Sequence, residues 1–558
     1  MRKYKICFLS SVLCLLSSVF CPLSYANNIT VTNAALGTQD TNAHTMAVQF
    51  DISWENAWRD ATNNDAAWVF IKYSTDSGAT WSHATLKTSG TNPGDFSRGT
   101  ATVGGASKNL DIVVPTDKKG GFVQIASADT GSGTLSATGL QFVWDYGTDI
   151  AAATKDTDAA TATIRVMAVE MAYIPAGSFD IGDGNGTSES TNAFHVTDNT
   201  KLTIGTTLVG SIKVDVNGYD DDQIELTGIG IKGDGGLDTN NDGTINNAAF
   251  PTGYNAFYIM KYEISQGQYR DFLNMLTRAQ QAARTAITAS PTASNYAMTN
   301  AATVTYRDTI RNPASIPSGP ITFGCDYAAN SAAGNGIFNA STDGEWIAAN
   351  YLSWMDQAAY ADWAALRPMT ELEFEKAGRG PDAAVNGEYA WGSSGSLTQV
   401  NGITNPGAAN ETAANSGNCV YGGAANVQGP MRGGVAAVSS STRTQAGASY
   451  YGVMELSGNL WERPVTVGNS NGRSFIGSHG DGILTTTASY EGNATNLDWP
   501  GIDATTARGV TGATGSGFRG GNWFNGSSYA RVSGRFSAAN TYASRNIDYG
   551  GRCVRTSP

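Results

Sequence analysis

Cysteine is scarce in this 558-residue sequence, and half of what there is lies at the extreme N-terminus. Cys7, Cys14 and Cys21 fall in an apolar leader; Cys325, Cys419 and Cys553 are the only others. Three thiols allow at most one internal bridge and leave one over, and no Cys-x-x-Cys occurs. A cysteine-built zinc site therefore has little support. Histidine is limited to His44, His83, His195 and His479, widely scattered and without a helical His-x-x-x-His pair. Charged residues make up only 15%, against about 25% in an average soluble domain. The net charge is −13, and no Lys/Arg block is present to grip a phosphate backbone or an anionic membrane. Nucleic acid is thus an unfavourable partner. Beyond the leader, no apolar run reaches the roughly 18 residues that a membrane span needs. What the chain does have is glycine (66), aromatics (10%) and a hydrophobic fraction of 41%, enough for two or three domains rich in strands and loops.

The leader reads as an address. Arg2, Lys3 and Lys5 precede a mostly apolar stretch over 6–20, and Ser24 and Ala26 supply small residues at −3 and −1. This is the pattern of a secretory signal peptide over 1–26, cleaved after Ala26. An uncleaved anchor would need a longer apolar run, and Phe20 before Cys21 is too large for a lipoprotein signal. The mature chain is expected outside the cytoplasm, in a periplasm or at the cell exterior, with no membrane insertion after cleavage.

Residues 27–160 alternate apolar and polar residues in short runs such as 45–54, 67–73 and 121–126, separated by Gly, Asn, Asp and Ser clusters. An antiparallel β-sandwich is expected. Within it Ser74-Thr75-Asp76-Ser77-Gly78-Ala79-Thr80-Trp81 matches the Asp-box hairpin. Sialidase propellers repeat that box in every blade; a single copy points to a structural hairpin instead of a glycosidase. Further on, Asp238, Asn240, Asp242 and Gly243 resemble the first half of an EF-hand-type loop, but position 12 is Ala249, so a turn-rich insertion and a weak calcium site both stay open. Residues 265–287 read as one helix with Tyr269, Phe272, Leu273 and Leu276 on its buried face, followed by helices over 355–365 and 371–377. The rest, to 558, is Gly- and Asn-rich with spaced aromatics, as in a loop-rich domain.

Six separated segments then resemble the formylglycine-generating enzyme (sulfatase-modifying factor) family. They are Ala172-Tyr173-Ile174-Pro175-Ala176-Gly177-Ser178-Phe179; Phe257-Tyr258-Ile259-Met260-Lys261-Tyr262-Glu263-Ile264-Ser265; and Leu352-Ser353-Trp354-Met355-Asp356 running on through Trp363 to Arg367-Pro368-Met369-Thr370-Glu371-Leu372-Glu373-Phe374-Glu375-Lys376-Ala377. Then come Tyr389-Ala390-Trp391-Gly392; Tyr451-Gly452-Val453-Met454-Glu455-Leu456-Ser457-Gly458-Asn459-Leu460-Trp461-Glu462; and Phe518-Arg519-Gly520-Gly521-Asn522-Trp523, closing with Gly550-Gly551-Arg552-Cys553. The resemblance spans about 165–558, with an insertion at about 185–250. It implies an α+β, C-type-lectin-like fold with much irregular structure, preceded here by the all-β sandwich.

Family enzymes oxidise a substrate cysteine with copper held by two cysteine thiolates, since soft Cu(I) takes soft sulfur. The matching positions here are Ala530 and Arg535, so no copper is expected and the oxidase chemistry should be absent. Another branch uses iron on three histidines, which the four scattered histidines do not supply. The family's Gly-Asn-x-Trp-Glu segment binds structural calcium. Its equivalents are the Glu455 and Glu462 side chains with the Gly458 and Leu460 carbonyls, an oxygen set that suits a hard cation. The competing expectation is that Glu462 pairs with an arginine such as Arg463 or Arg519.

In the C-type-lectin-like fold that the resemblance implies, the stretch 522–549 would form the ligand surface. Phe524, Tyr529, Arg531, Arg535, Tyr542 and Arg545 are the candidate ligand-binding residues, because aromatics give rigid contact area and arginine a forked donor. Phe524, Tyr529, Arg531, Arg535 and Tyr542 are expected to include several exposed side chains, with Trp523 in the core. The leading reading is a secreted, non-catalytic protein that binds a protein or glycan. The alternatives are a family oxidase or related protein-modifying enzyme, a receptor diversified in this segment by a retroelement, and a structural or adhesive envelope protein.

Overall fold

The computed structural model describes residues 28–183 and 245–558 apart from 288–290, 339 and 424–426, together with 193–194, 202–205, 214–215, 223–224 and 237. The leader, most of the 185–250 insertion and the calcium-like loop at 238–244 lie outside the described residues.

Two antiparallel sheets enclose the N-terminal core. One has five strands in the order Thr30–Asp40, Thr45–Arg59, Asp129–Trp144, Ser97–Val103, Ala106–Lys108. Thr45–Arg59 shows period-2 patterning: Val48, Phe50, Ile52 and Trp54 are buried, while Gln49, Asp51 and Ser53 are more exposed. They meet Val69, Ile71, Ile112, Val123 and Ile125 of the second sheet.

That second sheet does not end with the N-terminal region. Its order is Arg367–Pro368, Cys553–Thr556, Phe257–Met260, Thr163–Ile174, Asp65–Ser74, Gly121–Ile125, Leu110–Val114, Gly90–Thr91, with Ser82–His83 paired beside Asp65–Ser74. The strands from 163 onward belong to the C-terminal region, so one sheet runs through both. Asp65–Ser74 is buried at all ten positions. Its odd-numbered side chains Ala67, Val69 and Ile71 enter the sandwich core. Its even-numbered ones, Ala66, Trp68 and Phe70, enter the main core of the C-terminal module. There Trp68 Nε1 donates to the Ala364 carbonyl at 2.9 Å, Phe70 meets Trp363 edge-on at 5.2 Å, and Phe122 stacks on Tyr258 at 3.9 Å. Lys261 is buried in the same joint, 2.5 Å from Glu170 and 3.4 Å from Asp65. Burial raises the Glu170 carboxyl to about 7, opposed by Lys261 and aided by Asp65. One ammonium thus serves two buried carboxyls.

The Ser74–Trp81 stretch forms a tight hairpin. Asp76 Oδ1 accepts from Thr80 N (2.9 Å) and Ser74 Oγ (2.7 Å), while Ser74 Oγ accepts from Gly78 N (2.8 Å). Gly78 has φ +88, and a Cβ there would lie 3.6 Å from the Trp81 ring, which closes the turn.

The single helix expected over 265–287 is two, Gln266–Leu273 and Arg278–Arg284. The break has a local cause. Thr277 and Gln280 form a second capping box, and the Asn274 side chain pairs with both backbone groups of Phe323. Tyr269, Phe272, Leu273 and Leu276 are all buried. The next helices are Trp354–Trp363 and Glu371–Arg379, each opened by a capping box. From 380 to 552 there is little regular structure, and turns carry the chain.

Candidate functional site

The segment 522–549 rests on the N-terminal end of the Glu371–Arg379 helix. Glu371 is fully buried and takes both Arg535 (Nε at 2.7 Å, Nη2 at 3.1 Å) and Arg519 (Nη1 at 2.9 Å). Arg519 also reaches Glu375 at 2.7 Å and the Val532 carbonyl at 2.6 Å. Burial works to raise the Glu371 carboxyl, but Arg535 and Arg519 outweigh it and hold its pKa below the ordinary value. The helix N-terminus favours the same ionised form.

Two expectations for the ligand set fail on this geometry. Arg535 is 0% exposed, a counter-ion of Glu371. Arg545 chelates Asp356 through Nε and Nη2, both at 2.7 Å, and donates to the Thr285 and Ala283 carbonyls. It ties the tail to two helices, with four of its five N–H donors engaged inside the protein. Each arginine faces a buried carboxylate far away in sequence, a partnership that local spacing does not reveal.

The other four candidates lie nearer solvent. Phe524 is 56% exposed and Tyr542 is 57% exposed. Tyr529 and Arg531 are half-buried. Tyr529 packs on Phe536 at 5.1 Å and edge-on to Trp461 at 5.8 Å. Trp523 is in the core, its Nε1 donating to the Ile547 carbonyl at 3.1 Å. Under this face Arg463 lies over Phe518 at 4.3 Å and donates to the Tyr542 carbonyl at 2.7 Å, while its Nε and Nη1 have no partner. Burial lowers its pKa to about 9.

Ala530, where the family resemblance would place one copper thiolate, is buried beside Cys419, Tyr389 and Trp391. The Cys419 thiol donates to the Ser457 carbonyl at 3.2 Å, and burial raises its pKa. Cys325, Cys419 and Cys553 are all unbridged and buried. An alanine, an arginine locked to Glu371 and one buried neutral thiol do not fit a two-thiolate copper centre.

The 455–462 segment is a clamp with left-handed backbone at Glu455 (φ 55), Gly458 (φ 92) and Asn459 (φ 65). Glu263 holds it, accepting from Leu460 N at 2.9 Å and from Asn459 Nδ2. Glu462 Oε1 pairs with Arg552 Nε at 2.8 Å, so its arginine is neither Arg463 nor Arg519. Glu455 Oε1 accepts from Gly434 N at 2.6 Å. Burial pushes both glutamates up to about 7. Oε2 of each is buried with no hydrogen-bond partner. Two orphaned carboxylate oxygens are donors that fit a hard cation, with the Arg552 guanidinium already supplying part of the positive charge. Glu263 and Arg552 escaped the sequence reading. Both lie inside the quoted motifs, Glu263 two residues after the buried Lys261 and Arg552 between Gly551 and Cys553.

The fold and this buried charge define a sheet-rich α+β module built on the sulfatase-modifying plan. The sulfatase-modifying factor enzyme 1-like domain family matches residues 157–557, and the chain belongs to that family. No curated protein matches the chain.

Proposed function

We propose that this chain is an extracytoplasmic, non-catalytic binding protein whose C-type-lectin-like module engages a protein or glycan through the face around Phe524, Tyr529, Arg531 and Tyr542. One observation carries the reading. The two positions where the family places its copper thiolates hold a buried alanine and an arginine fixed in an ion pair, while large aromatics stand exposed in the same segment. Exposed Phe and Tyr on a rigid base suit recognition, because they lose little conformational entropy on binding. Calcium held by Glu455 and Glu462, with the Gly458 and Leu460 carbonyls, would stiffen the loop beneath.

The test is a double variant, Phe524→Ala with Tyr542→Ala, examined against a panel of immobilised glycans and surface proteins. Loss of capture with an unchanged melting curve supports the reading. Conversion of the cysteine in a Cys-x-Pro-x-Arg peptide by the purified protein with Cu(I) would replace it with the oxidase reading.

A further inference from the structure

A cleft of about 780 Å³ opens between the sandwich and the C-terminal module, and none of its lining residues comes from 522–549. Its walls include Trp81, Met275 and Trp346, and its floor is Val166 and Ala168 of the strand Thr163–Ile174. That strand is asymmetrically paired. Along one side it runs beside Asp65–Ser74 without a break, from Thr163↔Ser74 to Ala172↔Asp65. On the other side its pairing with Phe257–Met260 begins only at Met171↔Met260.

The direction of each main-chain group follows from two hydrogen bonds. Tyr173 N donates to Asn64 O at 2.9 Å, so odd-numbered residues face the 65–74 side. Lys261 N donates to Glu170 O at 2.9 Å, so even-numbered residues face the other way. The register is unbroken, and an antiparallel ladder alternates strictly. Ile164, Val166 and Ala168 therefore aim N–H and C=O toward the cleft, and no strand among the described residues pairs with them there. Free edges are usually blunted by proline, charge or a cover. These three positions carry neither proline nor charge, and the strand Thr30–Asp40, which lends Val31 to the cleft, packs against the 163–174 strand without pairing with it.

We propose that this edge is a docking site for an extended peptide, which adds as an antiparallel or parallel strand beside residues 164–168. A strand supplies main-chain donors and acceptors at the spacing the edge presents, and its alternate side chains enter the aromatic walls. A saccharide has hydroxyls but no such repeat. Of the charges that line the cleft, Arg270 holds Asp271 at 2.8 Å and Glu345 at 3.3 Å, while Arg165 is exposed between Ile164 and Val166. The fitting peptide carries no cation through its docked core, because Arg165 would repel one, and has apolar residues at alternate positions. The site is independent of the surface assigned above.

The probe is a fluorescein-labelled peptide of alternating Val and Thr, about six residues long to match the open edge at about 3.3 Å per residue, with terminal lysines for solubility. Its anisotropy is titrated with the full chain. Saturable binding is expected. The same peptide N-methylated at alternate residues should bind at least about tenfold more weakly in one of its two methylation registers, because it cannot donate to the edge. Ala168→Pro removes one outward N–H and leaves the inner ladder intact, and should weaken binding by a similar factor at unchanged melting temperature. Trp346→Ala, which cuts a wall without touching the strand, should also weaken it and keeps the test valid if the proline variant does not fold. Equal binding by both N-methylated registers, or no binding by the parent peptide, overturns the proposal. Binding of a neutral oligosaccharide that Trp346→Ala abolishes, with the peptide inert, would also overturn it and make the cleft a glycan site.

Discussion

The N-terminal sandwich and the 380–552 stretch are stabilised in opposite ways. In the sandwich, ladders satisfy the backbone and the core is almost wholly apolar, from Val48 and Phe50 to Val123 and Phe142. In 380–552 ladders are few, so many buried carbonyls need other donors, and arginine supplies them. Arg432 reaches the Glu411, Gly433 and Gly434 carbonyls, and Arg307 the Pro430 carbonyl. Arg552 reaches Met260 and Met454, and Arg519 reaches Val532. Each of Arg307, Arg519 and Arg552 also holds a buried carboxylate. The comparison teaches that a buried arginine can replace a missing strand, provided that its charge is matched. A protein with only 15% charged residues has placed many of them inside.

The largest effect expected from breaking that pattern is at Glu371. Glu371→Ala removes the buried carboxylate that Arg535 and Arg519 share, leaving Arg519 with Glu375, and removal of one partner of a buried pair costs about 3–5 kcal/mol. Chemical denaturation should show either that loss or no cooperative transition. A loss under about 1 kcal/mol would mean water reaches the pair.

The joint between the two regions comes next. Lys261→Met leaves Asp65 and Glu170 buried without their cation, and at pH 8 a loss of about 3 kcal/mol is expected. The pH dependence has a definite sign. The folded pKa of Glu170 is raised from 4.5 to about 7 and that of Asp65 is raised too, so the folded state binds more protons over that interval. Their contribution to stability is fully present below the unfolded values and falls as pH rises through about 7. The cost of Lys261→Met should therefore be smaller at pH 5 than at pH 8. Equal costs at both would show that the carboxyls are solvated.

Calcium gives a smaller, reversible effect. If Glu455 and Glu462 hold the ion, chelation lowers the melting temperature by a few degrees, and excess calcium restores it by linkage. Glu462→Gln should abolish the response. A curve indifferent to chelator would leave Arg552 as the sole counter-ion of Glu462. Smallest is the stability cost of Phe524→Ala with Tyr542→Ala, within about 0.5 kcal/mol for each exposed side chain. A larger loss would move both residues from the surface to the packing.

Much of the scaffold is legible in the sequence. The alternation over 45–54 marked a half-buried strand, and the helices expected over 355–365 and 371–377 are found at Trp354–Trp363 and Glu371–Arg379. The motif series identified the family. The site was less legible. Phe524 and Tyr542 stand exposed as their segment suggested, but Arg535 of the same segment is buried and Arg545 is half-buried, each tied to a buried carboxylate. Their partners Glu371 and Asp356 lie 164 and 189 residues away.

By itself the sequence determined what is local or compositional: the Asp-box turn, the helices near 355 and 371, and the scarcity of charge. Only the tertiary structure decided that one sheet runs through both regions, that the 65–74 strand is buried on both faces, and that half an edge of the 163–174 strand is left open. The reason is physical. Turns and caps are set by torsions and hydrogen bonds within a few residues. Whether a strand edge is paired, or an arginine meets a carboxylate, depends on chain segments that only the finished fold brings together.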